Sequence, residues 1–205
     1  MRFELRARNS LNRLVAITGL GFAACGPSTT VEQTWTAPTV RSQAPLQRVV
    51  TVFFSDNVTI RRAAEDQLAR DLIARGVQAM PSYAVLDDSE LPDRDAVRSK
   101  LLKLGYDGIV TMRIVDRYQE LDYMPPTFDG YWGHAYPYFY SPGFYSPGYV
   151  YAETIVRVET SAYSLRTNQL VWSALTRTVG DEADELIDDT SRVIATQLTR
   201  RGLAA

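Results

Sequence analysis

The sequence predicts an α/β domain, a β-α-β-α-β-β-β-α mixed sheet with helices packed on it. Three observations predict it. Between residues 49 and 115, short β-branched runs alternate with helically periodic segments, the pattern of parallel strands joined by right-handed crossovers. Residues 150–165 and 170–176 then alternate apolar with polar side chains around Arg166-Thr167-Asn168, as the two strands of an antiparallel hairpin do. The chain closes on an amphipathic segment with acids at its start and arginines at its end, which complements a helix dipole.

The elements follow in order. Val49 to Phe54 is a near-continuous apolar run, suited to a strand covered on both faces. Ser55-Asp56-Asn57 supplies turn and cap chemistry, and a helix is expected from about Ile60 to Arg75, with Ala64, Leu68 and Leu72 on one face and Gly76 ending it. Val77 to Leu86 reads as a second strand, with Pro81 assigning it to an edge or a bulge. Pro92-Asp93 opens a second helix that carries Val97, Leu101 and Leu104 and stops at Gly105. Gly108 to Val115 is the third strand. Val150 to Leu165 places Val156, Val158 and Thr160 on one face and Glu153, Arg157 and Glu159 on the other, and Leu170 to Thr176 returns beside it. The last helix spans roughly Asp181 to Arg201, with Ile187, Ile194 and Leu198 directed inward.

The amino terminus reads as an address. Arg2, Arg6, Arg8 and Arg13 precede eleven uncharged residues, Leu14 to Ala24, and Cys25 follows. A basic head, a short apolar body and small residues before a cut site describe a signal peptide over residues 1–24. Eleven helical residues span about 16 Å against roughly 30 Å of hydrocarbon, too little for a transmembrane anchor. Phe22-Ala23-Ala24-Cys25 resembles the lipobox of bacterial lipoproteins, with Phe22 where that family usually carries Leu. The resemblance implies that Cys25 takes a diacylglycerol and an added acyl chain such as palmitate, and becomes the mature amino terminus. Gly26, rather than Asp, after the cysteine implies the outer membrane, with the domain facing the periplasm. Residues 25–47, mixed in Pro, Ser, Thr and Gln, are expected to be a flexible tether, and Trp35 within them a docking contact on the domain. The α/β domain is expected over 48–203.

Arg61-Arg62…Glu65-Asp66, Arg75-Gly76-Val77, Gly105-Tyr106-Asp107-Gly108 and Gln169-Leu170-Val171-Trp172-Ser173 resemble a class of small bacterial lipoproteins of unknown function. At the level of fold, these are similar to the periplasmic domain of curli-type secretion lipoproteins. The resemblance covers about residues 48–203 and brings no catalytic residues with it.

Composition excludes several function classes. The 22 basic and 24 acidic residues do not make a nucleic-acid binder, and removal of residues 1–24 leaves a net charge of −5. One Cys and one His exclude a Cys-cluster or HExxH metal site. His134, in a Pro-rich aromatic stretch, is expected to be a loop residue rather than a catalytic base. No dinucleotide fingerprint or phosphate loop is present. The acidic clusters Asp87, Asp88, Glu90 and 181–189 read as a turn and as a helix start with a solvated face. Arg113 and Arg157 read as edge or exposed-face pairs with partners such as Glu153 or Glu159. No enzyme, cofactor or metal is expected.

The aromatic insert, residues 118–151 between strands three and four, is the unusual feature. It holds 13 of the 22 aromatic residues, and from Gly130 to Ala152 its only titratable group besides tyrosine is His134. Tyr140-Ser141-Pro142-Gly143 recurs as Tyr145-Ser146-Pro147-Gly148, which fixes turns and argues against both a long helix and a regular ladder. Tyr131, Trp132, Tyr136, Tyr138, Tyr140, Tyr145 and Tyr149 form the expected contact surface. An ordering-free loop, an envelope-protein or self contact, a glycan platform and a membrane-interface element all remain open. The sequence thus points to a lipid-anchored, non-enzymatic binding or scaffold module, and as an alternative to a subunit of an oligomeric secretion or export assembly.

Overall fold

The computed structural model describes residues 28–42, 44–87, 89–90, 93–129 and 144–205. Residues 1–24, Cys25, His134 and the contact residues Tyr131, Trp132, Tyr136, Tyr138 and Tyr140 lie outside them. The elements are β1 (Ser28–Thr36), β2 (Arg48–Phe54), α1 (Val58–Ile73), β3 (Gln78–Pro81), α2 (Arg94–Lys103), β4 (Gly108–Met124), β5 (Thr127–Asp129), β6 (Phe144–Ser146), β7 (Tyr149–Ser164), β8 (Gln169–Val179) and α3 (Ala183–Arg200). Six strands form one mixed sheet in the order β1-β8-β7-β4-β2-β3, and β5 pairs with β6 separately. The fold is the expected α/β class with its mixed sheet.

Strand β2 is parallel to both β3 and β4 and is buried through Val49, Val50, Val52 and Phe53, because helices cover both of its faces. On one face α1 and α3 enclose the larger core, in which Leu68, Leu72, Trp172, Ile194 and Leu198 are fully buried. On the other, α2 caps a smaller cluster of Val50, Val52, Leu86, Val97, Leu101, Tyr106 and Leu165. Asn57 starts α1 by accepting the N–H groups of Thr59 and Ile60, and Asp93 starts α2 by accepting those of Asp95 and Ala96. Gly76 and Gly105 follow these helices at φ +93° and +83°, where a side chain would be strained.

Three expectations are corrected. Residues 28–42 are not a flexible tether: β1 runs antiparallel along β8 from Ser28↔Val179 to Thr36↔Trp172, and a 3-10 turn follows at Pro38–Ser42. The physical reason is the outer edge of β8, whose backbone groups would otherwise stay unpaired. Thr29, Thr30, Val31, Thr34 and Thr36 are β-branched and suit the role. Leu46 is buried, with its N–H on the Leu203 carbonyl at 2.8 Å, so the segment reaches the core before β2 begins. Trp35 is part of β1, opposite Ser173, and stays about half exposed.

The insert is not a structureless loop where the structure describes it. β4 continues to Met124 and β7 begins at Tyr149, and their ladder runs unbroken from the bulge at Val115 to Met124↔Tyr149. It resumes in β5 and β6 with Phe128↔Tyr145. Pro125 and Pro126 fall in the gap opposite Pro147 and Gly148, so the residues that cannot donate to a ladder sit where the ladder is interrupted. The second predicted strand is also shorter than expected. It pairs only over Gln78–Pro81 and gives way to a 3-10 turn at Ser82–Ala84, with β3 at the sheet edge as Pro81 requires.

Candidate binding surface

Among the described residues no helix covers the second sheet face beyond β2, where β1, β8, β7 and β4 carry partly exposed charged side chains. Its charges are matched in pairs. Arg113 donates to Glu159 at 2.8 Å and Arg177 to Glu120 at 3.2 Å. Arg157 lies 3.2 Å from Glu32 on β1 and 3.7 Å from Asp116, with its guanidinium 5.7 Å from the Tyr118 ring centre. The charge of Glu32, with the hydrogen bond between the two groups, holds the Arg157 guanidinium above its ordinary pKa. The Arg113–Glu159 pair is the partnership the sequence offers, whereas the Arg157 partners come from the unforeseen β1 and from β4.

Past the pairing level of Tyr118 and Ile155, β4 and β7 leave the other strands and continue as a two-stranded arm. Glu120 and Glu153 are opposite each other at its root, followed by Leu121 opposite Ala152 and Tyr123 opposite Val150. Leu121 is 73% exposed, Val150 63% and Tyr123 58%. Tyr149 is also exposed, with its ring 6.0 Å from that of Tyr151. A Cβ on Gly148 would stand 2.7 Å from the Tyr123 hydroxyl and 2.9 Å from the Met124 carbonyl, so the two strands close tightly at this point. Of the predicted contact residues, the structure thus places Tyr149 on the arm and the Tyr145 backbone in β6.

At the base of the arm, on the helical side, an apolar crevice of about 140 Å³ opens between the starts of α1 and α3. Phe53, Ile60, Met112, Ile114, Leu186 and Ile187 line it, and Arg117 and Asp181 are among its polar neighbours. Ser191 also borders it, and its buried hydroxyl has no hydrogen-bond partner among the described residues.

The acidic clusters have local work. Glu90 accepts from Lys100 at 2.7 Å and from the Asp87 N–H at 2.8 Å, and these two bonds hold its carboxyl below the usual carboxylate range. Asp188 accepts from Gln67 at 2.6 Å and pairs with Arg192, joining α3 to α1. Among the described residues, no group of three or more His, Cys, Asp or Glu could hold a metal ion, and no helix is long and apolar enough to cross a membrane.

One buried acid escaped the sequence reading. Glu65 on α1 is fully buried, and its carboxylate accepts from the Phe53 N–H at 3.1 Å, the Ser82 N–H at 3.0 Å and the Ser82 hydroxyl at 2.8 Å. It thereby ties α1 to β2 and to the 3-10 turn. Next to it, the Tyr83 hydroxyl donates to Asp66 at 2.6 Å, and the Arg62 guanidinium lies 5.0 Å from the Tyr83 ring centre.

No protein-family model matches the chain, and no curated protein matches it. Among solved structures, the PelC dodecamer from Paraburkholderia phytofirmans is similar at a TM-score of 0.47 and 12% identity, covering 87% of this chain and 99% of that one. Lipoprotein GNA1162 from Neisseria meningitidis is similar at a TM-score of 0.41 and 12% identity, covering 76% of this chain and 99% of that one. Likeness at this level concerns the course of the backbone and carries no residue, ligand or partner over to this chain.

Proposed function

We propose that the protein is a lipid-anchored envelope lipoprotein that works without catalysis, as a binding or scaffold module whose contact surface is the β4–β7 arm. The anchor is the acylated Cys25, and the domain faces the periplasm from the outer membrane. The observation that carries the reading is the arm itself: a ladder-held projection whose Leu121, Tyr123 and Val150 are left more than half exposed. Exposed apolar surface on an ordered element marks a contact site. Tyrosine adds large contact area with a polar handle, suited to an envelope protein, a second copy or a glycan. The test is an in-cell crosslinking pull-down with and without residues 124–148. An unchanged partner list removes the arm from the account. If Cys25→Ser or globomycin leaves membrane fractionation and lipid labelling unchanged, the anchor is wrong.

The alternative, a subunit of an oligomeric export assembly, gains from one observation. The 17-residue β4 contains no proline, which lifts the sequence-based objection to a regular hairpin as far as Met124. A monodisperse monomer in detergent would exclude it.

A further inference from the structure

We infer that the arm also meets the lipid surface: its charge-free stretch past Asp122 lies in the headgroup region of the leaflet that holds the Cys25 anchor. The inference rests on the acylation of Cys25 proposed above and goes beyond the contact with an envelope component.

The register carries the geometry. Ser28 pairs with Val179, Val179 with Ile155, and Ile155 with Tyr118, so these four residues stand at one level across the sheet. Cys25 precedes Ser28 by three residues, and three residues reach at most about 11 Å. From Tyr118 the arm continues to Met124 beyond that same level and away from the sheet, and six residues of strand extend about 20 Å. The leash is therefore shorter than the arm, and both leave the same end of the domain. An acyl chain seated in the bilayer brings that end to the headgroups, and the arm must lie in the interface or penetrate it.

The arm's chemistry changes along its length to suit this. Glu120, Asp122 and Glu153 are grouped at the root. Beyond them, Tyr123 to Phe128 on one side and Tyr145 to Ala152 on the other contain no charged residue, and Asp129 on β5, opposite Phe144, is the next charge. The side chains presented there include Tyr123, Met124, Tyr149 and Val150, all exposed. Tyrosine concentrates at the membrane–water boundary, where an apolar ring and a polar hydroxyl are both accommodated. The arm would be a second, reversible hold beside the covalent one, and two holds fix a domain's orientation where one leaves it free to turn.

The mature acylated protein has its one thiol blocked, so a cysteine introduced at Met124, Val150 or Thr167 can be labelled alone with a nitrobenzoxadiazole fluorophore. Thr167 lies in the exposed β7–β8 turn at the opposite end of the sheet. The labelled proteins are reconstituted in phosphatidylethanolamine–phosphatidylglycerol vesicles with or without shallow doxyl-labelled lipid. The expected result is shorter-wavelength emission and doxyl quenching for M124C and V150C, with neither for T167C. If the protein floats with the vesicles but all three probes report water, the lipid assignment is overturned while the anchor stands. Shorter-wavelength emission without doxyl quenching means a protein contact and also overturns it. Failure to float overturns the anchor and, with it, this inference.

Discussion

Replacing Glu65 tests whether a buried carboxylate, rather than apolar packing alone, holds α1 to the sheet. Glu65→Ala strands the Phe53 and Ser82 N–H groups and the Ser82 hydroxyl in a site closed to solvent. A buried donor left unpaired costs about 1–3 kcal/mol, and a rotating hydroxyl less than a fixed N–H, so about 4 kcal/mol is expected in total. For a domain of this size that lowers Tm by about 8–16 °C. Glu65→Gln keeps one acceptor oxygen but turns an NH₂ toward one of the two N–H donors, for a loss of about 2 kcal/mol. Ser82→Ala removes one hydroxyl and leaves the backbone donors paired, for about 1 kcal/mol. Thermal melts followed by far-ultraviolet circular dichroism, with urea titrations of the same variants, should rank them in that order. If Glu65→Gln melts with the parent protein, the second acceptor oxygen is unnecessary and the argument from donor count fails.

Three further outcomes are expected. The hydrogen bond to Asp66 is the largest effect that raises the Tyr83 pKa above 10.0. The fold therefore favours the neutral phenol, and this stabilisation is present below pH 10 and lost as pH rises through the raised value. The stability difference between the parent and Tyr83→Phe should accordingly shrink above pH 10 in denaturant titrations, and a difference that widens there would contradict the assignment. Asn57→Ala removes the acceptor for the Thr59 and Ile60 N–H groups and should cost about 1 kcal/mol by urea titration, with Asn57→Ser restoring most of it. Gly148→Val places a side chain against Tyr123, Pro126 and Met124, and should speed amide exchange across Tyr149–Tyr151 while leaving Tm within a few degrees. A large drop in Tm would mean that the arm is part of the core.

What the sequence revealed, and what it hid, divides along the source of stability. Val49–Phe54, the Leu68–Leu72 face, Val97–Leu101 and Ile194–Leu198 were legible because burial gathers apolar residues in a continuous run or at a period near four. β1 was hidden among Pro, Ser and Thr. Its partner lies 151 residues away by the Ser28–Val179 pairing, and what it supplies is a row of backbone bonds more than a buried face. The arm was hidden likewise. Asp116 to Asp122 mixes charges with single apolar residues, and its prolines count against a ladder until the register shows them falling in its gap. Glu65 reads as a solvated helical acid until the fold lays Ser82 against it.

The same division separates the open sheet face from the arm as contact surfaces. The open face is charged, but its guanidinium groups at Arg113, Arg157 and Arg177 already meet carboxylates of neighbouring strands. A partner docking there would have to desolvate or break pairs that contribute little while exposed to water and leave a penalty when buried without each other. The arm sets no such barrier. Leu121 and Val150 are apolar and mostly exposed, and covering them removes hydrocarbon from water at about 25 cal/mol per Å². An exchange of the carboxylates and guanidiniums on the open face, Arg113→Glu with Glu159→Arg, should therefore leave the crosslinked partner list unchanged. Leu121→Asp with Val150→Asp should shorten it, and the reverse result would move the contact surface from the arm to the sheet.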